Sequence, residues 1–438
     1  MQYARERSLE VGFRFGSTRS AFVSSSLGTP SAVTSLGVGR FRPRPATSGD
    51  FAGLDAASPA LLPSDRDLLD AYLSRGIRDI VSVPCSVTDT WHALAAEKAR
   101  TGELNLVMTS HEGNLAGIAG GIWFGTGRPA LIHMQNSGLP NAADGMISFA
   151  DSEVFGVPMA AMVTFRGATP ADKSEPHQAI GRRTDALVAS VFGPDAIVAG
   201  NRNGYDLLDA VERSADAARA GRIGVVKVAE SGFRKLHRAE LPPAAGAHAR
   251  NDLRAIRAAK GIGSLDASLV VRQPMSREEA IRTIAARHPN AALLFCNGFT
   301  SRAARATVDH ERAFYNIGYM GGTLAIGWGL AKSRPDVDVV VIDGDQNALM
   351  SAMKDQLAAD YPANLHWYIL DNGIGASVGT SESLPLGAMY DDLARIVRTK
   401  PDEPGSFVFP RVAATEPSAA LSTLALRFRS HLVARLAQ

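Results

Sequence analysis

The chain has 438 residues, 45% of them hydrophobic and 21% charged, a balance that suits a globular protein of two or three domains. Lys and Arg number 46 against 44 Asp and Glu, a net charge of +2, so no strongly basic face is implied and nucleic acid is disfavoured as the main partner. No run approaches the roughly 18 uninterrupted apolar residues of a membrane span. Two cysteines, Cys85 and Cys296, do not make a disulfide framework, and a reducing cytoplasm is expected.

Residues 1–62 are rich in Ser, Arg, Thr and Gly and carry few periodic apolar positions. Frequent Arg and Ser with few acids suit a targeting segment, but no apolar core followed by a cleavage site is present. A disordered tail or an upstream extension is the plainer reading. From Ser64 the pattern becomes α/β. Ser64 and Asp65 can cap a helix to about Ser74, and Asp79–Val83 is a short apolar strand. A helix near Thr88–Arg100 and a strand at Leu104–Met108 follow, the strand leading to Thr109-Ser110-His111-Glu112. Ala116–Trp123, small and apolar, reads as a buried helix, and Pro129–Met134, Val157–Thr164 and Ile223–Val228 read as strands.

Residues 233–274 are weakly periodic and read as a linker, between a first domain at 63–232 and a second at 275–438. Ser276 with Glu279 forms a capping box that opens the second domain. Strands are expected at Ala292–Phe295, Val337–Ile342, His366–Leu370 and Ser406–Phe409, and a helix at Ser418–Arg435 closes the chain. Strands alternating with helices predict two mainly parallel sheets.

The most informative stretch runs from Val339 to Gly373. Two apolar runs end at Gly344-Asp345 and at Asp371-Asn372, and Asp345 and Asn372 stand 27 residues apart. A strand-helix-strand unit needs about this length, and it would set both side chains at the carboxyl edge of a parallel sheet, where such sheets bind ligands. A carboxylate and an amide oxygen are hard ligands suited to Mg²⁺ shared with a phosphate, and the carbonyl of Ile374 could join them. The plainer alternative is that Asp345 caps the next helix and Asn372 builds a turn with Gly373.

Other candidates sit at strand ends. Glu112 opens a helix rich in Gly and Ala, where an acid also suits the helix dipole. Gln135, Asn136 and Ser137 form a polar loop that could bind a cofactor or a substrate carboxylate, or cap a helix. Arg166, Lys173 and His177 lie in a charged stretch that could meet an anionic substrate or face solvent, with His177 the acid–base candidate. Met320, before Gly321, is either core packing or a wedge that bends a two-ring cofactor. Cys85 and Cys296 lack a nucleophile context.

Together these residues resemble the thiamine diphosphate-dependent decarboxylases, and more closely the phosphonopyruvate decarboxylases and their sulfopyruvate relatives. The shared pieces are Val83-Pro84-Cys85-Ser86, Glu112-Gly113-Asn114, Met134 to Leu139, Arg166-Gly167 with Glu175-Pro176-His177, Thr300-Ser301-Arg302, Gly344-Asp345 with Asn372, and Ser377-Val378-Gly379. They run in family order from about residue 64 to 410. The resemblance implies a pyrimidine-binding domain followed by a diphosphate-binding domain, with no middle domain. It implies that Asp345, Asn372 and the Ile374 carbonyl hold Mg²⁺ against the diphosphate of thiamine diphosphate. Glu112 would activate the aminopyrimidine, and Met320 would bend the cofactor. Gly344, Gln346, Gly321, Thr300 and Ser301 would line the cofactor, while Gln135, Asn136, Ser137, Arg166, Lys173 and Arg302 would meet the substrate.

The implied reaction is decarboxylation of a 3-substituted pyruvate. It would be 3-phosphonopyruvate to phosphonoacetaldehyde in phosphonate biosynthesis, with sulfopyruvate, carboligation and a non-catalytic relative as alternatives. The implied assembly is a homodimer or larger, with Glu112 and Asp345 serving one site from different chains. Three departures stand out: Gln346 replaces a third glycine of the metal motif, Pro140 a glycine, and Phe165 a tryptophan.

Overall fold

The computed structural model describes residues 62–170, 172–193, 197–200, 206–241, 255, 258, 274–375, 381–401 and 421–434. The expectations for residues 1–61, for most of the 233–274 linker, for Ser377-Val378-Gly379 and for a strand at 406–409 lie outside the described residues.

The first half carries six strands: β1 (Asp79–Ser82), β2 (Asn105–Met108), β3 (Ala130–Gln135), β4 (Met159–Phe165), β5 (Ile197–Gly200) and β6 (Ile223–Ala229). They form one sheet in the order β2-β1-β3-β4-β6-β5, and every pairing is parallel. The second half carries β7 (Ala292–Phe295), β8 (Ala313–Tyr315), β9 (Val339–Gly344) and β10 (Leu365–Asp371). A two-residue pair, β11 (Ile374–Gly375) with β12 (Ser381–Glu382), precedes β13 (Arg395–Arg398). The second sheet runs β13-β10-β9-β7-β8, again all parallel. Strands buried on both faces need continuous apolar runs, which is what Val339–Ile342 and Met159–Val163 supply. The sequence pattern missed β5, β8 and β13, and all three are sheet edges of three or four residues.

The expected capping box at Ser276 forms, and the cap expected at Ser64 and Asp65 is a capping box of Ser64 with Asp67. Ser64 and Asp67 exchange side-chain and backbone hydrogen bonds, as do Ser276 and Glu279. The halves are joined by helices Leu115–Thr126 and Thr323–Ser333, both buried over almost their whole length. Glycine lets the two backbones meet. A Cβ on Gly117 would stand 2.6 Å from the Ala325 Cβ, and one on Gly121 or Gly329 would collide with the carbonyl oxygen of Ile326 or Ile118. This contact merges the inner faces of both sheets into one apolar core that includes Phe124, Phe149, Phe314 and Trp328.

A buried polar layer lies under the first sheet. His133, on β3, is fully buried, with Nδ1 2.8 Å from Ser82 Oγ and Nε2 3.1 Å from Thr88 Oγ1. His92 Nε2 approaches the same Ser82 hydroxyl at 2.7 Å. Burial keeps both rings neutral: it pushes His92 down to about 4 and, with the neighbouring His92, holds His133 well below the usual range.

Two outcomes follow. Gly121→Ala gains up to about 1 kcal/mol of helix propensity, but its methyl meets backbone that no rotamer change can move aside. A net loss of about 1–3 kcal/mol in urea unfolding is expected, and an unchanged or raised midpoint would refute the close crossing. For His92, the folded pKa lies below the unfolded one, so its contribution is present above about pH 6.5 and is lost as pH falls towards 4. His92→Gln should lessen the acid loss of stability by up to about 1.4 kcal/mol per pH unit across that window. A parent-minus-variant difference that stays constant from neutral pH into that acid range would contradict the buried neutral ring.

Candidate active site

In the second sheet β9 and β10 pair in register, with Leu370 beside Gly344. Asp345 and Asp371-Asn372 therefore leave the sheet side by side at its carboxyl edge. The strand order reverses between β7 and β9, since the chain leaves β7 towards β8 on one side and β9 towards β10 on the other. A crevice opens at such a reversal, and a cleft is found there, lined among others by Arg277, Thr300, Met320, Asp345, Gln346 and Ile374. Helix Phe299–Val308 starts in this cleft from Gly298 (φ +79°) with no capping side chain, and its Ser301 N–H is taken by the Cys296 carbonyl.

Asp345 is 5% exposed. Its Oδ1 accepts the Gln346 N–H at 2.8 Å, while Oδ2 is buried without a hydrogen-bond partner. Burial raises its pKa above the ordinary carboxylate value, and the Gln346 N–H, the nearby Ser383 hydroxyl and the Arg277 charge offset this in part. The Ser383 oxygen completes no hydrogen bond with Oδ2. A buried carboxylate oxygen in this state suits a cation. Asn372 Oδ1 accepts the Ile374 N–H at 3.1 Å, closing a turn over Gly373 (φ +72°), and Ile374 lines the cleft. Among the described residues no group of three or more His, Cys, Asp or Glu could hold a metal. A cation here would rest on one carboxylate, one amide oxygen and one carbonyl, a hard-oxygen set that fits Mg²⁺.

Gln346, where a glycine was expected, is accommodated by Gly375. A Cβ at Gly375 would collide with the Gln346 amide, so the absent side chain at 375 makes room for the one at 346. Thr300 is buried and its Oγ1 accepts a hydrogen bond from Arg277 Nη1 at 3.0 Å. Ser301, expected to line the cofactor, is instead fully buried and donates to the carbonyls of Phe295 and Cys296, which fastens the end of β7. Arg302 stacks over the Phe299 ring at 5.7 Å. Met320 is 53% exposed on the cleft, facing solvent rather than packed in the core. Arg277 escaped the sequence reading. It lies with Ala280, Ile281 and Ile284 on the buried face of helix Arg277–Arg287, and a charge at an apolar position of that periodicity was the available signal.

In the first half Glu112 opens a short 3-10 turn ahead of helix Leu115–Thr126. Asn141 Nδ2 donates to its Oε2 at 2.9 Å, and Gly138 leaves the room its carboxylate fills. Asn136 is fully buried, and its amide bonds run to the Arg166 backbone and Thr184 Oγ1. It therefore shapes the Arg166 turn instead of presenting a free amide to a substrate. Gln135 Nε2 donates to Ser137 Oγ at 2.7 Å.

Arg166 and Lys173 line a second cleft of about 430 Å³ at the carboxyl ends of β4 and β6, together with Glu230. Arg166 is held there by Glu230 Oε2 and Ser86 Oγ, both at 2.7 Å. His177 Nδ1 pairs with Asp172 at 3.0 Å. Burial would raise the Asp172 carboxyl, but the His177 ring and the Ser174 and Gly167 N–H groups outweigh it and hold the group below its ordinary value. Met320 and Asp345 thus share one cleft, and Arg166 and Lys173 another.

The Glu112 segment and the Met320 turn meet within one chain. Tyr319 Oη donates to the Gly113 carbonyl, and Asn114 Nδ2 donates to the Ala352 carbonyl at 3.2 Å.

Known proteins share these features. Residues 297–402 match the model of the thiamine pyrophosphate enzyme C-terminal TPP binding domain. The chain is 30% identical over 343 residues to the phosphonopyruvate decarboxylase of Streptomyces hygroscopicus, covering 73% of this chain and 76% of that one. It is 38% identical over 107 residues to the sulfopyruvate decarboxylase subunit beta of Methanothermobacter thermautotrophicus, 23% of this chain and 57% of that subunit. The fold is shared with the thiamine diphosphate-dependent 4-hydroxybenzoylformate decarboxylase of Rhodococcus jostii RHA1, with TM-score 0.56 and 12% identity over 77% of this chain and 99% of the other. The chain belongs to the thiamine diphosphate-dependent phosphonopyruvate and sulfopyruvate decarboxylase family and is a carbon–carbon lyase.

Proposed function

We propose that the enzyme decarboxylates 3-phosphonopyruvate to phosphonoacetaldehyde and CO₂. The observation that carries this reading is the buried, unpartnered Oδ2 of Asp345 at the reversal point of the second sheet. A cation would serve it, and a diphosphate would complete the shell of that cation, in a chain whose relative over 73% of its length is named a phosphonopyruvate decarboxylase.

In this reading Asp345, Asn372 and the Ile374 carbonyl hold Mg²⁺, and residues 63–232 and 275–438 are the pyrimidine- and diphosphate-binding domains. Gly344, Gln346, Thr300, Arg277 and Gly298 would receive the diphosphate. Thiamine diphosphate, once bound, supplies the electron sink that the departing CO₂ requires and that no side chain can offer. Glu112, oriented by Asn141, would hydrogen-bond the pyrimidine ring and hold its proton, while Met320 with Gly321 would lie against the cofactor. Arg166 and Lys173 offer charge to a doubly negative phosphonate, with Gln135 and Ser137 as polar contacts and His177 as proton carrier. Arg302, stacked on Phe299, stands nearer the diphosphate side.

The second reading, sulfopyruvate, rests on the 38% identity of one segment to a sulfopyruvate decarboxylase subunit. That relative is named as one subunit of an enzyme, and we propose a homo-oligomer of at least two chains here. In such an assembly Glu112 of one chain and Asp345 of another would serve one site. No helix among the described residues is long and apolar enough to cross a membrane.

CO₂ and aldehyde release from 3-phosphonopyruvate, sulfopyruvate and pyruvate should give the highest kcat/KM for the phosphonate. Glu112→Gln should lower turnover at least about 100-fold. Faster turnover of sulfopyruvate would select the second reading, and full turnover by Glu112→Gln would remove that residue from its role. Asp345→Asn keeps the shape and removes the buried charge. The metal-free variant should melt no lower than the parent at neutral pH, and should lose the rise in melting temperature that Mg²⁺ and thiamine diphosphate give the parent. A variant that keeps that rise would exclude Asp345 as a metal ligand.

A further inference from the structure

The turn that carries Met320 is held from two sides by consecutive backbone N–H groups. Asp144, on helix Leu139–Gly145 of the first half, accepts the Met320 N–H through Oδ2 at 2.8 Å. Its other oxygen accepts Ser148 Oγ at 2.8 Å, which fixes the carboxylate. Asn347, in the second half, accepts the Gly321 N–H through Oδ1 at 2.9 Å. Its amide donates at 2.6 Å to Asp343 Oδ1, and Trp367 Nε1 donates to Asp343 Oδ2 at 2.8 Å. Asp343 is fully buried and Asn347 nearly so, so this arm of the clamp is rigid.

Gly321 sits at φ +70°, and a Cβ there would stand 2.7 Å from the Met350 carbonyl carbon, so the turn cannot relax on that side. Asn316 donates to the Tyr319 carbonyl at 2.7 Å just before it. The Met320 side chain is thereby the free end of a fixed backbone, exposed on the cleft that holds Asp345.

We infer that Asp144 and Asn347 are positioning residues that clamp the Met320 turn and thereby set the place of the Met320 side chain against the rings of bound thiamine diphosphate. The inference rests on the cofactor site proposed above. Its chemical consequence is selective. A ligand that reaches only the metal and the diphosphate pocket does not touch Met320, whereas the complete cofactor does. Removing the Asp144 acceptor also leaves one backbone N–H to find water, and the turn gains freedom that cofactor binding must then remove.

The test uses the full chain with Mg²⁺ and two probes, thiamine diphosphate and inorganic diphosphate, each titrated calorimetrically. Asp144→Ala should raise the Kd for thiamine diphosphate about tenfold and that for inorganic diphosphate less than about twofold. Asp144→Asn keeps an oxygen acceptor for the Met320 N–H and should bind both probes like the parent. Asn347→Ala, which leaves Asp144 in place, should show the same selective loss for thiamine diphosphate. Equal weakening of both probes by Asp144→Ala would show a merely structural role and overturn the inference. An unchanged Kd for thiamine diphosphate would overturn it as well, while the cofactor site itself would stand. A parent that binds inorganic diphosphate but not thiamine diphosphate would overturn both.

Discussion

The rest of the structure depends on the crossing of helices Leu115–Thr126 and Thr323–Ser333. Each is buried because each carries glycine where the other passes: Gly117, beside the Ala325 side chain, and Gly121, beside the Ile326 carbonyl, on one, and Gly329, beside the Ile118 carbonyl, on the other. That approach has two effects. It joins the inner faces of two parallel sheets in one core, which neither sheet could close alone. It also sets the starts of both helices together, and the start of one follows Glu112 while the start of the other follows Met320. The glycines that weaken each helix by up to about 1 kcal/mol per residue relative to Ala are thus the condition for bringing the Glu112 and Met320 segments together.

Around that crossing the chain distributes its polar groups in a graded way. Those with complete hydrogen bonding have a scaffold role: Asn136 ties the Arg166 turn, Ser301 ties the end of β7, and His133 spans Ser82 and Thr88 under β3. Asp345 differs, because one of its oxygens is buried and unserved. Two carboxylates lie two residues apart on this edge. Asp343 is served by Trp367 and Asn347, and burial still pushes it up to about 7. Asp345 is left open on the cleft side. The first holds the frame, and in the proposed reading the second takes a cation.

Much of this was legible in the residues. Central strands such as β4 and β9 are continuous apolar runs, because burial on both faces demands them, and they stood out. The edge strands β5, β8 and β13 are only three or four residues long and were missed. Asp345 and Asn372 were found because their spacing measures a strand-helix-strand unit. Ser301, in the first turn of helix Phe299–Val308, and Asn136, after β3, looked like ligand contacts because a polar residue there reads the same whether it faces a ligand or a neighbouring carbonyl. Arg277 and Asp144 were missed for the complementary reason: each acts through a partner far away in sequence, Arg277 at Thr300 and Asp144 at Met320. Gln346 looked like an obstacle until Gly375, 29 residues later in the chain, proved to be the space it occupies.

The central claim is that the second-sheet cleft is a metal-dependent diphosphate site. Calorimetric titration of thiamine diphosphate into the full-length, metal-free chain, with and without Mg²⁺, tests it most directly. The account predicts saturable binding in the presence of Mg²⁺ and binding weakened at least about tenfold in its absence. Binding of equal strength with and without the metal, or no binding at all, would contradict it.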